Sequence, residues 1–266
     1  MRALRNQPLR SKRMSITFNK TISNPRLPVG ADLADVISAD PALRFWGTAD
    51  ADFATISAGE FLSFQDRAGG AGAFAANASF SRAAVVGDAL AGQSVARFAG
   101  YPGTDFDVYT STGVTIAQDA AVTLAAIFRP KTLDQSQAIL GRFLGADDRC
   151  VLQFSTGNVP RFLCQGAFVD GVAVALDEWC LVVASFDGAV SRIWQDGAER
   201  ASITPPDGTT HTGAFLLGSL DGTTNQRADV EIADFWVFGR DLIGGDSETL
   251  DAIAEYAATV YGLDVG

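Results

Sequence analysis

Between Trp179 and Gly197 the chain reads Trp-Cys-Leu-Val-Val-Ala-Ser-Phe-Asp-Gly-Ala-Val-Ser-Arg-Ile-Trp-Gln-Asp-Gly, two apolar runs each closed by Asp-Gly. Asp-Gly accepts the positive φ of tight hairpin turns, so this stretch predicts a β-hairpin followed by a second tight turn. The run from Val122 to Arg129 has the two-residue period of a half-buried strand. Val122, Leu124, Ala126 and Phe128 fall on one face, and Thr123, Ala125, Ile127 and Arg129 on the other. Similar strands are expected at 43–46, 61–65, 94–100, 137–143, 150–155, 161–165, 190–195, 214–218 and 230–238. So many short, evenly punctuated strands argue against an α/β fold and for an antiparallel sandwich.

Apolar residues make up 47% of the 266, enough for a sizeable core, and 27 glycines against 9 prolines suit a chain with many turns. One convincing helix closes the chain. Asp246, Ser247 and Glu248 supply its capping chemistry, and Leu250, Ile253, Ala254, Ala257 and Val260 keep helical spacing. A turn or two of helix is also expected between Asp32 and Ala39. No repeat and no proline-rich linker divides the chain after residue 40, so the expected organisation is an N-terminal arm, 1–40, and one β domain, 41–266.

Charge is distributed unevenly. Residues 1–30 carry Arg2, Arg5, Arg10, Lys12, Arg13, Lys20 and Arg26 and no acid, so the net −11 of the chain leaves −18 on the remainder. Such a body repels nucleic acid and anionic membrane, whereas the arm suits an acidic partner. A solvated, frayed terminus, or a natural start at Met14, would explain the same charges. No secretory leader is expected, because the basic N-terminus is not followed by an apolar stretch of the usual length, and no run is long enough to span a membrane.

Chemistry-bearing residues are sparse. Cys150, Cys164 and Cys180 form no Cys-x-x-Cys unit, and His211 is the only imidazole, which argues against zinc. Cys150 and Cys164 are equidistant from the middle of a hairpin loop at Ser155 to Pro160 and so are candidates to face each other; reduced, buried thiols are the favoured reading. His211, in a Pro- and Gly-containing loop, reads as an exposed histidine with no signature of a nucleophile beside it. Acidic loop clusters, Asp105 with Asp107, Asp147 with Asp148, and Asp221 with Asn225, supply the hard oxygen donors that calcium prefers. Of these, Asp105 and Asp107 are the metal candidates, although the default expectation is no cofactor. Tyr101 and Tyr109 bracket a Pro- and Gly-containing loop and are the candidate ligand-contacting rings. Trp46, Trp179, Trp194 and Trp236 fall in or beside strands, where core packing is the stronger reading for most.

The order of these pieces resembles the laminin-G-like, concanavalin A-like lectin/glucanase jelly roll found in bacterial and phage structural proteins. The matching segments are Trp46, Phe61 to Gly70, Ser94 to Gly100, Val122 to Pro130, Ile139 to Phe143, Trp179 to Gly197, Phe215 to Ser219, Val230 to Phe238 and the closing helix. The resemblance implies an all-β, antiparallel jelly-roll sandwich with a C-terminal helix and an extended basic N-terminal arm. Its glucanase members pair glutamates around an aspartate on one strand face. Here the nearest candidate, Glu231-Ile-Ala-Asp234, spaces its carboxylates three apart, which on a regular strand sends them to opposite faces.

The expected function is therefore non-enzymatic: a binding or structural module of a phage or phage-like particle, as a capsid decoration, head fibre or tail-associated protein. Arg5, Arg10, Lys12, Arg13, Lys20 and Arg26 would dock on a capsid or tail protein while the sandwich meets a cell-surface glycan, with no membrane or specific nucleic acid as partner. Symmetric homo-oligomers would suit such a particle. An exported bacterial adhesin or lectin-like protein is the alternative, and a degenerate hydrolase the third class.

Overall fold

The computed structural model describes residues 32–77, 84–87, 89–100, 107–133, 135–206, 208–221, 226–245 and 247–265. The chain begins with α1 (Leu33–Ser38), whose first turn is capped by the Asp32 carboxylate accepting from Ala34 N at 2.9 Å. Seven strands follow: β1 (Leu43–Thr48), β2 (Ala54–Ser57), β3 (Glu60–Gln65), β4 (Ala73–Ala76), β5 (Val85–Val86), β6 (Ala96–Ala99) and β7 (Tyr109–Thr112). The middle of the chain supplies β8 (Val122–Pro130), β9 (Gln137–Gly145), β10 (Asp148–Phe154), β11 (Pro160–Cys164) and β12 (Ala167–Asp170). Then come β13 (Cys180–Phe186), β14 (Ser191–Gln195), β15 (Ala198–Ile203), β16 (Leu216–Leu217) and β17 (Asp229–Phe238), before α2 (Glu248–Tyr261).

Every strand pairing among the described elements is antiparallel, and together they build two stacked layers. The front layer runs β15, β14, β13, β8, β17, with β1 and β6 sharing the far side of β17. The back layer runs β2, β3, β4, β7, β16, β9, β10, β11, β12. At one edge β5 pairs with both β6 and β3 and so joins the layers. The expected turn at Asp196-Gly197 is present, with φ of 44° and 90°, the doubly positive geometry that makes Asp-Gly the suitable pair.

Between the layers lies an apolar core with Phe45, Phe64, Phe74, Phe98, Tyr109, Phe128, Phe154, Phe162 and Phe235 among its buried members. A second apolar cluster covers the outer face of the front layer, where α1 and α2 pack on Trp46, Ala125, Ile127, Leu181, Val183 and Trp236. Leu33 and Ile37, grouped with the arm by sequence, are part of that cluster. This corrects the half-buried reading of 122–129: β8 is buried on both faces, because helices cover the side that alternation assigned to solvent.

A second correction concerns Glu231 and Asp234. The register of β17 against β8 shifts between Ile232 and Asp234, a β-bulge that adds one residue to the count. Val230, Ile232, Phe235 and Val237 consequently face the central core, while Ala233, Trp236 and Phe238 face the helices. Glu231 and Asp234 therefore share the outer face instead of lying on opposite ones.

Candidate functional site

Several of the residues singled out by sequence are core or unplaced. Tyr109 is not a surface ring: it sits in β7 and is fully buried, its hydroxyl donating to Phe61 O at 2.5 Å and accepting from Ala84 N at 2.9 Å. Burial also holds that phenol well above its ordinary pKa. Asp107 is buried too, and its Oδ2 accepts from Ala99 N at 2.7 Å, which is a strand-anchoring role. Tyr101, Asp105 and Asn225, with the arm residues Arg5, Arg10, Lys12, Arg13, Lys20 and Arg26, lie outside the described residues. Among the described residues no three His, Cys, Asp or Glu side chains converge as a metal site would require.

The two carboxylates that the bulge brings to one face are each committed. Asp234 is fully buried, accepting from Trp46 Nε1 at 2.9 Å and from the Tyr261 hydroxyl. Glu231 pairs with Arg129, with Lys131 Nζ at 3.8 Å. Trp46 and Trp236 are buried against Tyr256, Trp194 is nearly buried, and Trp179 lies under the Arg129 guanidinium at 5.1 Å.

The outer face of the back layer is arranged differently. Register aligns Ala138 on β9, Gln153 on β10, Arg161 on β11 and Asp170 on β12 in one row across four strands. Beside it runs an apolar row of Gly141, Val151, Leu163 and Phe168. Ala138, Val151, Leu163 and Leu220 form a small apolar cluster with Phe143 at its margin. Phe168 remains 50% exposed, and the Arg161 guanidinium lies 4.0 Å from its ring centroid. The same guanidinium forks onto Asp170, Nε to Oδ1 at 2.5 Å and Nη2 to Oδ2 at 2.8 Å, which fixes its position over the ring.

Unused hydrogen-bonding capacity collects at the β9 end of the polar row. Gln153 is almost fully buried, yet its Oε1 has no hydrogen-bond partner. Gln226 accepts from Ala138 N through its backbone carbonyl at 2.8 Å, and its side-chain Oε1 is likewise unpartnered. Gln135, two residues before β9, has an unpartnered Nε2. Native proteins pair more than nine-tenths of such buried polar groups, so these three interior atoms are exceptions.

Sequence reasoning missed this face. Ala167–Asp170 is a short strand bracketed by Gly166 and Gly171, a signal that was present, but the alignment of Gln153, Arg161 and Asp170 depends on two consecutive hairpins closing in register.

A profile of the concanavalin A-like lectin/glucanases superfamily matches residues 102–244, more than half of the chain. No curated protein matches the chain in sequence. Among solved structures, a Trypanosoma rangeli sialidase in complex with 2,3-difluorosialic acid superposes with a TM-score of 0.54 and 15% identity, over 90% of this chain and 36% of that one. The Botulinum neurotoxin serotype D binding domain gives a TM-score of 0.54 and 11% identity, over 85% of this chain and 53% of that one. The chain thus spans about a third of the length of the sialidase, and identities this low show a common fold.

Proposed function

Since the chain belongs to the concanavalin A-like lectin/glucanase superfamily, we propose that it is a non-catalytic recognition module that binds a glycan on the outer face of its back layer. The observation that carries this reading is the accessible Arg161–Asp170 pair beside the half-exposed Phe168 ring. A pyranose has an apolar face and an equatorial rim of hydroxyls, so a ring next to guanidinium and carboxylate groups is complementary to it. Arg161 and Asp170 neutralise each other, which favours an uncharged sugar over an acidic one. Binding rather than turnover fits the carboxylates of β17, since Asp234 and Glu231 are held by Trp46, Tyr261 and Arg129.

The test is a glycan array followed by titration calorimetry on the best hit. Phe168→Ala and Arg161→Ala should each weaken binding at least about tenfold, as loss of an aromatic or arginine anchor does. Unchanged affinity in both variants, or polysaccharide cleavage by the purified protein, would overturn the reading.

A second element of the proposal concerns location. Seven positive charges in residues 1–30 against −18 on the rest suit an arm that attaches to an acidic surface of a capsid or tail protein and leaves the sandwich outward on a phage or phage-like particle. Deleting residues 1–30 should abolish co-sedimentation with particles and leave glycan binding unchanged. An exported adhesin would show glycan binding and no particle association in either form.

A further inference from the structure

Cys150 on β10 and Cys164 on β11 are direct partners in their ladder, and Cys150 is in turn opposite Arg142 on β9, giving a row of three across adjacent strands. The ladder hydrogen bonds flank the cysteine pair: Gln165 N donates to Arg149 O and Ser155 N donates to Val159 O, both at 2.9 Å. Odd-numbered residues of β10 therefore make the hydrogen-bonded pairs, and Cys150 with Cys164 occupies a non-hydrogen-bonded position. There the Cα atoms of an antiparallel pair approach to about 4.5 Å, within the span that a disulfide bridges. Both side chains point inward and are completely buried in the central core.

We propose that Cys150 and Cys164 are a redox-convertible pair that closes as a cross-strand disulfide and staples β10 to β11. The oxidant is a low-molecular-weight disulfide. One cysteine thiolate attacks it, forming a mixed disulfide and releasing a first small thiolate. The second cysteine thiolate then displaces the remaining small thiolate, forming the Cys150–Cys164 bond. Two protein thiols are oxidised, one small disulfide is reduced to two thiols, and the two cysteine protons leave with the released thiolates.

Burial raises both thiols, Cys164 to about 12, whereas Arg142 acts in the opposite direction as the one cation of the row. Exchange therefore enters during folding or when the β11–β12 edge opens. The third cysteine stands apart: Cys180 is on β13 in the front layer, and its thiol donates to Phe128 O at 3.5 Å.

The staple has a consequence for recognition that rests on the proposed function. Val151, Gln153, Arg161 and Leu163 alternate with the two cysteines on the same strands and project from the opposite side. A covalent bond beneath them fixes the register on which the polar row depends.

The experiment refolds the protein in a mixture of oxidised and reduced glutathione, blocks free thiols with iodoacetamide under denaturing conditions, and maps the peptides by mass spectrometry. The expected result is a linked Cys150–Cys164 peptide lacking two hydrogens, with Cys180 alkylated. The oxidised form should melt about 6–12 °C above the reduced form, as a loop of this length implies, and Cys164→Ser should abolish that difference. Three alkylated cysteines after oxidative refolding, or a bridge that includes Cys180, would overturn the proposal. Because the peptide map uses the unaltered chain, it holds even if a serine variant fails to fold. Glycan affinity is measured on both forms: a gain on oxidation supports the link to recognition, equal affinities remove that link, and absent binding in both overturns the proposed function while the peptide map still decides the bridge.

Discussion

Arg142 and Asp234 are two buried charges with opposite accounts. Arg142 is fully enclosed in the central core, its Nη1 donating to Ile116 O at 2.7 Å and its guanidinium 4.7 Å from the Phe215 centroid. Its Nε and Nη2 have no hydrogen-bond partner, and burial lowers its pKa. A buried cation without a paired anion is a net liability, so Arg142→Met should raise the free energy of unfolding by about 1–3 kcal/mol in urea titrations. Asp234, by contrast, accepts from Trp46 and Tyr261, and Asp234→Ala should cost about 2–4 kcal/mol by leaving those donors buried and unmet. Burial raises the Asp234 carboxyl above its ordinary value, opposing the Tyr261 and Trp46 hydrogen bonds and the nearby Arg67, which favour the ionised form. The folded state then holds the proton more tightly than the unfolded one, so this group's stabilisation is present at low pH and lost as pH rises through the raised value. Compared with Asp234→Asn, the natural protein should gain relative stability as the pH is lowered from the raised value towards the ordinary carboxylate range, read from urea midpoints at each pH.

At the scale of elements, α2 was legible from its sequence. Ser247 Oγ accepts from Leu250 N at 3.1 Å, and Gly262 closes the helix with φ of 72°. Ser247→Ala should cost about 1 kcal/mol, and Gly262→Ala a similar amount because alanine resists that left-handed conformation, both measurable by chemical denaturation. The strands that periodicity located, Val122–Pro130 and Asp229–Phe238 among them, sit within a residue or two of where they were expected. β2, β4, β5, β7, β12 and β15 were not located: Tyr109 follows a Pro- and Gly-containing segment that reads as loop, and most of the others are too short for their alternation to register. The facing of Glu231 and Asp234 was missed for a different reason. A bulge inverts the parity of everything beyond it, and no local residue type announces one.

For the molecule as a whole, the front layer depends on its helical cover. Trp46 and Trp236 pack on Tyr256, and Arg67 lies 4.3 Å over Trp46 while donating to the Tyr256 hydroxyl at 2.8 Å. Removing residues 247–266 should therefore uncover a continuous apolar face, seen as dye binding and red-shifted tryptophan emission, with a marked loss of soluble protein. The amino-acid order by itself determined that this chain makes antiparallel strands with tight turns and one closing helix, since period, Asp-Gly pairs and caps act within a few residues of one another. It also placed Cys150 and Cys164 symmetrically about a hairpin. Only the tertiary structure decided which faces are wet, where parity inverts, and that Gln153, Arg161, Asp170 and Phe168 share a surface. Those outcomes depend on how separate strands register and on which layer a helix covers, and such long-range packing leaves no trace in a short window of sequence.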